Sequence, residues 1–201
     1  MNQAKNRSKN QENTKSTLGQ IRIISGKHRG RKLPVLMAEG LRPTTDRVKE
    51  TVFNWLSPYI SQSNCLDCFA GSGGLGFEAL SRGANHVTLV ELNKKAAKQL
   101  LVNKDLLNAD NLTVINTDAL HFLVSKESQG FDLVFLDPPF RKDLVIQSAA
   151  LLHQGWLNDN ALIYVEMEAE GQPLLPNNWT LLKEKIAGQV AYRLYQYKRI
   201  T

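Results

Sequence analysis

From residue 64 onward the chain alternates short apolar runs with amphipathic ones, and this rhythm constrains its fold more than any other feature. NCLDCF, HVTLVEL, LTVIN, FDLVFL and ALIYVEM have the length and composition of strands. Between them, LGFEALSRG, KKAAKQLLVNKDLL, DALHFLVSK and DLVIQSAALLHQ have helical spacing. Apolar strands separated by helices pair in parallel and are buried on both faces, which predicts an α/β doubly wound sheet. The tail WTLLKEKIAGQVAYRLYQYKRI reads instead as two strands joined at Ala187-Gly188-Gln189. The expectation is a Rossmann-like, mostly parallel seven-stranded sheet closed by an antiparallel C-terminal hairpin, with a small β-hairpin at the N-terminus.

The front of the chain has a different character. Residues 1 to 32 carry nine Lys/Arg and one acid, a net of +8, whereas the rest carries 16 against 18, a net of −2. A basic arm on a near-neutral body points to an anionic partner, of which nucleic acid is the common kind. Residues 1–18 are polar and predict a disordered basic leader. Residues 19–40, around IRIISGKHRGRKLPV, predict a basic hairpin, and 41–201 one domain that a 42% hydrophobic content can furnish with a core. Within it, 42 to 60 predicts a helix capped near Thr45 or Asp46, with Val48, Val52, Trp55, Leu56 and Tyr59 on one face. No apolar run approaches the roughly 18 residues of a membrane span, so a cytoplasmic, soluble protein is expected.

The first strand of the alternating region runs into DCFAGSGGLGFEAL, where Gly71, Gly73 and Gly76 satisfy G-x-G-x-x-G between a strand and a helix. Glu91 follows Gly71 by 20 residues, at the end of the next strand, where a carboxylate can accept ribose hydroxyls. This much fits NAD, FAD or S-adenosylmethionine. Asp67 favours the last, because a carboxylate there repels a pyrophosphate but suits an ammonium. Asp118, after the third strand in NTDAL, can take an adenine amino group or simply cap the following helix. Cys65-x-x-Cys68 has a redox-like spacing, but strand residues i and i+3 point to opposite faces, and both read as small buried hydrophobes. His28, His86, His121 and His153 have no ligand spacing, so no metal is expected.

The fourth strand ends in Asp137-Pro138-Pro139-Phe140. Prolines end a sheet ladder and offer carbonyls without N–H donors. An acceptor-only lip beside a carboxylate suits a substrate that brings donors, such as the exocyclic amine of guanine N2 or adenine N6. Hydrogen bonds from that amine to Asp137 and the Pro138 carbonyl would aim its lone pair, and Phe140 offers a stacking face for an extruded base.

Glycine loop, Glu91, Asp118 and DPPF, in this order, resemble a class I S-adenosylmethionine-dependent N-methyltransferase. RIISGKHRGRKLPV followed by LRPTTDRVKETVFNWL narrows the resemblance to the bacterial 16S rRNA guanine-N2 methyltransferase family, over residues 21 to about 200. The resemblance implies methyl transfer to N2 of one guanine of 16S rRNA, within an assembled or late-assembling 30S subunit, by a protein expected to be a monomer. Residue by residue, it implies that Asp67, Gly71 and Gly73 hold the methionine part of the cofactor, with Phe69 and Leu92 also contacting the cofactor. Glu91 would hold its ribose, Asp118 and Ala119 the adenine, and Asp137 to Phe140 the target base. Arg22, Lys27, Arg29, Arg31, Lys32 and Arg42 would contact RNA, with Thr44 and Arg47 at the mouth of the cofactor site. The competing readings are an adenine-N6 methyltransferase of RNA or DNA and a non-enzymatic RNA-binding module. A nicotinamide dehydrogenase is disfavoured, since the chain has neither room for a substrate domain nor a placed hydride-site histidine.

Overall fold

The computed structural model describes residues 18–36, 45–125, 130–140, 142–171 and 173–199. In chain order these form β1 (Leu18–Arg22), β2 (Lys32–Leu36), α1 (Asp46–Leu56), β3 (Asn64–Asp67), α2 (Gly74–Ser81), β4 (His86–Val90), α3 (Lys94–Leu107) and β5 (Leu112–Ile115). They continue with α4 (Ala119–Val124), β6 (Phe131–Leu136), α5 (Leu144–Leu152), β7 (Leu157–Glu168), β8 (Trp179–Ala187) and β9 (Val190–Tyr197). All but the last residue of the expected leader lies outside the described residues, as do Arg42 and Thr44.

Seven strands form one sheet in the order β5-β4-β3-β6-β7-β9-β8, and β1 pairs with β2 in a separate antiparallel ribbon. β5 through β7 run parallel, while β9 is antiparallel to both β7 and β8, as the sequence rhythm predicts. The chain winds outward from β3 to β4 and β5, then crosses back to place β6 on the other flank of β3. That reversal between β3 and β6 is the switch point at which open α/β sheets leave a crevice beyond their carboxyl ends.

Period-two alternation sorts the strand residues onto two cores. On one face Cys65, Val87, Leu89, Leu133, Phe135 and Tyr164 pack with Val52, Phe53, Leu56, Phe77 and Leu100 of α1, α2 and α3. On the other, Leu66, Cys68, Val134, Leu136, Ile163 and Val165 meet Phe122, Leu123, Ala149 and Leu152 of α4 and α5. Cys65 and Cys68 thus lie in opposite cores, both buried, and burial pushes the Cys65 thiol up to about 12. Gly76 lets α2 lie close on β4: a Cβ there would run into the Leu89 side chain.

Helix α1 is shorter than its periodicity suggests. The Thr45 hydroxyl caps it by accepting from Val48 N at 3.4 Å, and Pro58 stops it at Leu56. Tyr59, expected on the inner face, therefore falls beyond the helix and is exposed, while Phe53 and the stem of Lys49 fill that face. The Lys49 ammonium donates to Arg22 O at 2.5 Å and pairs with Asp46 at 3.2 Å.

The hairpin is clamped to the domain by a buried carboxylate. Glu78 on α2 accepts from Ile24 N at 2.8 Å, Ser25 N at 3.0 Å and Arg82 Nε at 2.7 Å. Lys27 N donates to Ser81 O at 2.7 Å, and Asn103 Nδ2 of α3 reaches Pro34 O at 2.9 Å. Removing a carboxylate that satisfies two backbone donors and a partly buried guanidinium leaves all three unpaired. Glu78→Ala is expected to lower stability by about 3 kcal/mol and to speed amide exchange at Ile24 and Ser25 at least tenfold more than in β3. Unchanged exchange at those two amides would show that the clamp is not what holds the hairpin.

Candidate functional site

Five acidic side chains stand at the carboxyl edge of the five adjacent parallel strands: Asp118 after β5, Glu91 after β4, Asp67 ending β3, Asp137 after β6, and Glu166 near the end of β7. Parallel register produces this row, because Asp67 pairs beside Phe135 and Leu136 beside Val165. Alternation then turns Asp67, Asp137 and Glu166 toward one face of the sheet, the face of Cys65, Phe135 and Tyr164.

Asp67 is 2% exposed, and its Oδ1 has no hydrogen-bond partner. Burial, reinforced by the nearby Asp137 carboxylate, pushes its carboxyl up to about 7; backbone hydrogen bonds from Phe69 and Gly76 act in the opposite sense. Asp137 is raised by burial. Glu166 is raised by burial and then by Asp137, with the Tyr164 hydroxyl, which donates to its Oε1 at 2.8 Å, pulling the other way. An unpartnered buried carboxylate oxygen beside the glycine loop suits a cationic donor, so these residues fit the ammonium and sulfonium of S-adenosylmethionine.

The glycine loop is set by its neighbours. Gly73 adopts φ of 79°, a conformation that favours glycine, and a Cβ there would collide with Phe77 and Leu100. Glu91 fastens the loop to β4: its Oε2 accepts from Gly71 N at 2.7 Å and its Oε1 from Asn93 N at 2.7 Å. Asn116, which sequence reasoning passed over, donates to Glu91 O and Leu92 O and ties this corner to β5. Leu92 is exposed beside it, Phe69 is half-buried, and Ala119 is buried in the first turn of α4. Asp118 caps α4, its Oδ1 accepting from His121 N at 3.0 Å.

Beyond Asp137 a cleft of about 210 Å³ opens, walled on one side by Pro138, Pro139 and Phe140 and on the other by Glu166, Met167 and Glu168, with the first turn of α5 at its end. Pro138 is buried, while Pro139 and Phe140 are exposed. Sequence reasoning missed Glu166, although Y-x-E within ALIYVEM puts Tyr164 and Glu166 on one face of a strand.

The structure unites Asp67, Glu91 and Asp137, since Asp67 feels the field of both others. It does not bring the hairpin tip to them. Lys27 N and His28 N bond to Ser81, at the end of α2 opposite the glycine loop, so the tip lies a helix length away. Arg22, Lys27, Arg29, Arg31 and Lys32 are all exposed, and Arg31 Nη2 donates to Leu106 O in the last turn of α3 at 2.7 Å. Arg47 is exposed in the first turn of α1.

A carboxyl held above its unfolded range favours the neutral form in the fold, so the free protein loses stability as pH rises from about 4 through 7. Asp67→Asn removes that liability. In thermal melts of the ligand-free protein it is expected to raise Tm at pH 8 more than at pH 5, while weakening S-adenosylmethionine binding at least tenfold in calorimetry. A variant that melts no later at pH 8 than the parent would refute the buried charge.

The family described as Conserved hypothetical protein 95 matches residues 21–196. Ribosomal RNA small subunit methyltransferase D of Escherichia coli K12 is 57% identical over 180 residues, covering 89% of this chain and 90% of that protein. Its namesake from Haemophilus influenzae is 58% identical over 187 residues, covering 91% and 97%. Among solved structures, the yhhF protein of Escherichia coli superposes with a TM-score of 0.83 at 53% identity, covering 90% of this chain and 99% of that one. SMU.776, solved in complex with SAH, shares the fold at a TM-score of 0.63 and 16% identity, covering 82% of this chain and 53% of that one.

Proposed function

The chain belongs to the Conserved hypothetical protein 95 family, and from that premise we propose that it methylates the exocyclic N2 of one guanine in 16S rRNA, within an assembled or late-assembling 30S subunit. It is an S-adenosylmethionine-dependent methyltransferase, and its similarity to the small subunit methyltransferase D proteins supports ribosomal RNA as the substrate. The observation that supports an exocyclic amine as the methyl acceptor is the junction of two half-sites: the unpartnered oxygen of Asp67 on one side of Asp137, and the cleft walled by Pro138, Pro139 and Phe140 on the other.

S-adenosylmethionine supplies an electrophilic methyl on a positively charged sulfur. The chain supplies the rest. Asp67 offers its free oxygen to the ammonium, and Glu91, fixed at the end of β4, offers its remaining lone pairs to ribose hydroxyls. Proline carbonyls and Asp137 accept the two N–H groups of the incoming amine, leaving its lone pair as the one feature still to be directed. Because an aromatic amine is a poor nucleophile, positioning and a negative field account for most of the acceleration. Phe140, 43% exposed at the lip, gives the extruded base a stacking surface worth roughly 1–3 kcal/mol. The basic hairpin, a helix length from the chemistry, serves as a separate grip on phosphates and so lets a folded particle be recognised away from the flipped base.

Undermethylated 30S subunits incubated with labelled S-adenosylmethionine should acquire label in N2-methylguanine at one position of 16S rRNA. Label in N6-methyladenine would instead support the adenine reading, which the DPPF lip alone does not reject. Asp137→Ala should slow single-turnover transfer at least about a thousandfold with cofactor affinity held within threefold; near-normal turnover would remove Asp137 from the site.

A further inference from the structure

Methyl transfer to a neutral amine creates a proton that must leave, and the assignment of Asp137 does not by itself say where it goes. Glu166 stands next to it. Leu136 pairs with Val165 in parallel register, so Asp137 and Glu166 follow one another across the β6–β7 edge. Glu166 lines the cleft opposite Pro138 and Phe140, where the target base would enter. It is 7% exposed, and the Tyr164 hydroxyl donates to its Oε1 at 2.8 Å. The unpartnered Oδ1 of Asp67, buried two strands away on the other side of Asp137, suits the cationic methyl donor that the cleft's base would meet. Resting on the proposed amine methylation, we infer that Glu166 is a further catalytic residue, which with Asp137 takes up the proton released from the amine as the methyl arrives.

The balance closes on groups already present. The amine lone pair forms the new C–N bond, the C–S bonding electrons remain on sulfur as a neutral thioether, and the N–H proton passes to a carboxylate of the Asp137–Glu166 pair. Transfer abolishes the positive charge of the sulfonium at the same moment. Two carboxyls whose ionised forms that charge had stabilised then bind a proton more tightly, so uptake is favoured just when it is needed. Both carboxyls are raised by burial, and Glu166 also by Asp137 and Asp67. Tyr164 opposes this through its hydrogen bond; Tyr192 lies across from Glu166 on β9, and Lys142, Asp143 and Glu168 stand round the cleft.

Glu166→Gln keeps the size of the side chain and an acceptor for Tyr164 but cannot take a proton. Single-turnover rates between pH 5.5 and 9, read on 30S subunits with labelled S-adenosylmethionine, should fall about a hundredfold and lose the acidic limb seen in the parent. Affinity for S-adenosylmethionine should fall far less than the rate does, and Glu166→Asp should recover a third or more of the rate. In the ligand-free protein, Glu166→Gln should also lose less stability between pH 6 and 8.5 than the parent. Tyr164→Phe removes only the hydroxyl that favours the Glu166 carboxylate, so it should move the acidic limb to higher pH and carries the test if Glu166→Gln melts early. A parental rate and profile in Glu166→Gln, or an equal loss at every pH with the profile intact, would overturn the inference. Should the parent label adenine N6, the guanine reading fails while the ratio of Glu166→Gln to parent still decides the proton's destination; a parent that labels no base overturns both.

Discussion

The arrangement of this molecule depends on three carboxyls at the carboxyl ends of adjacent parallel strands on one face of the sheet, Asp67 and Glu166 buried and Asp137 half-buried between them. Like charges in a low-dielectric pocket repel one another and are expensive to ionise. The ion pairs among the described residues, Lys49–Asp46, Arg82–Glu78 and Arg193–Glu184, leave this cluster without a cation of its own. A fold that keeps such a cluster gives up stability at neutral pH and becomes a receptor for positive charge. The cationic methyl donor is the ligand that relieves it, and loss of that cation during transfer restores the demand for a proton. Binding and proton uptake are two consequences of one electrostatic condition.

Much of this was legible in the chain, and for physical reasons. Parallel strands buried on both faces must be apolar throughout, so an acid such as Asp67 at a strand end stands out, as do the prolines that stop β6. The glycine loop was readable because Gly73 has a backbone conformation and a crowded Cβ position that few other residues tolerate. Glu166 escaped notice because β7 continues past it to Glu168, so no turn signal marks it. Its pairing with Tyr164 becomes meaningful only once the register beside Asp137 is known. Tyr59 misled for the opposite reason: helical spacing continues through it, but Pro58 has already ended the helix.

The hairpin shows a second limit of linear reading. Its charge was plain from composition, yet its position follows from Glu78, an acid inside an otherwise apolar helix whose partners are backbone amides 53 and 54 residues earlier. No local pattern announces such a contact. The outcome is a basic surface fixed by α2 and α3 at a helix length from the chemistry, which separates holding the particle from selecting the base. Docking on α2 and α3 also fixes the distance between these two functions, so a rigid substrate can satisfy both at once.

The claim that a carboxyl cluster with no ion pair among the described residues governs this site is tested most directly by proton linkage. Titrating S-adenosylmethionine and, separately, its neutral thioether product into the protein at pH 7, in buffers of differing ionisation enthalpy, gives the protons released by each. The account predicts release with both ligands, which share the ammonium that Asp67 faces, and more with the sulfonium compound. Binding heats that are independent of buffer for both ligands would contradict it.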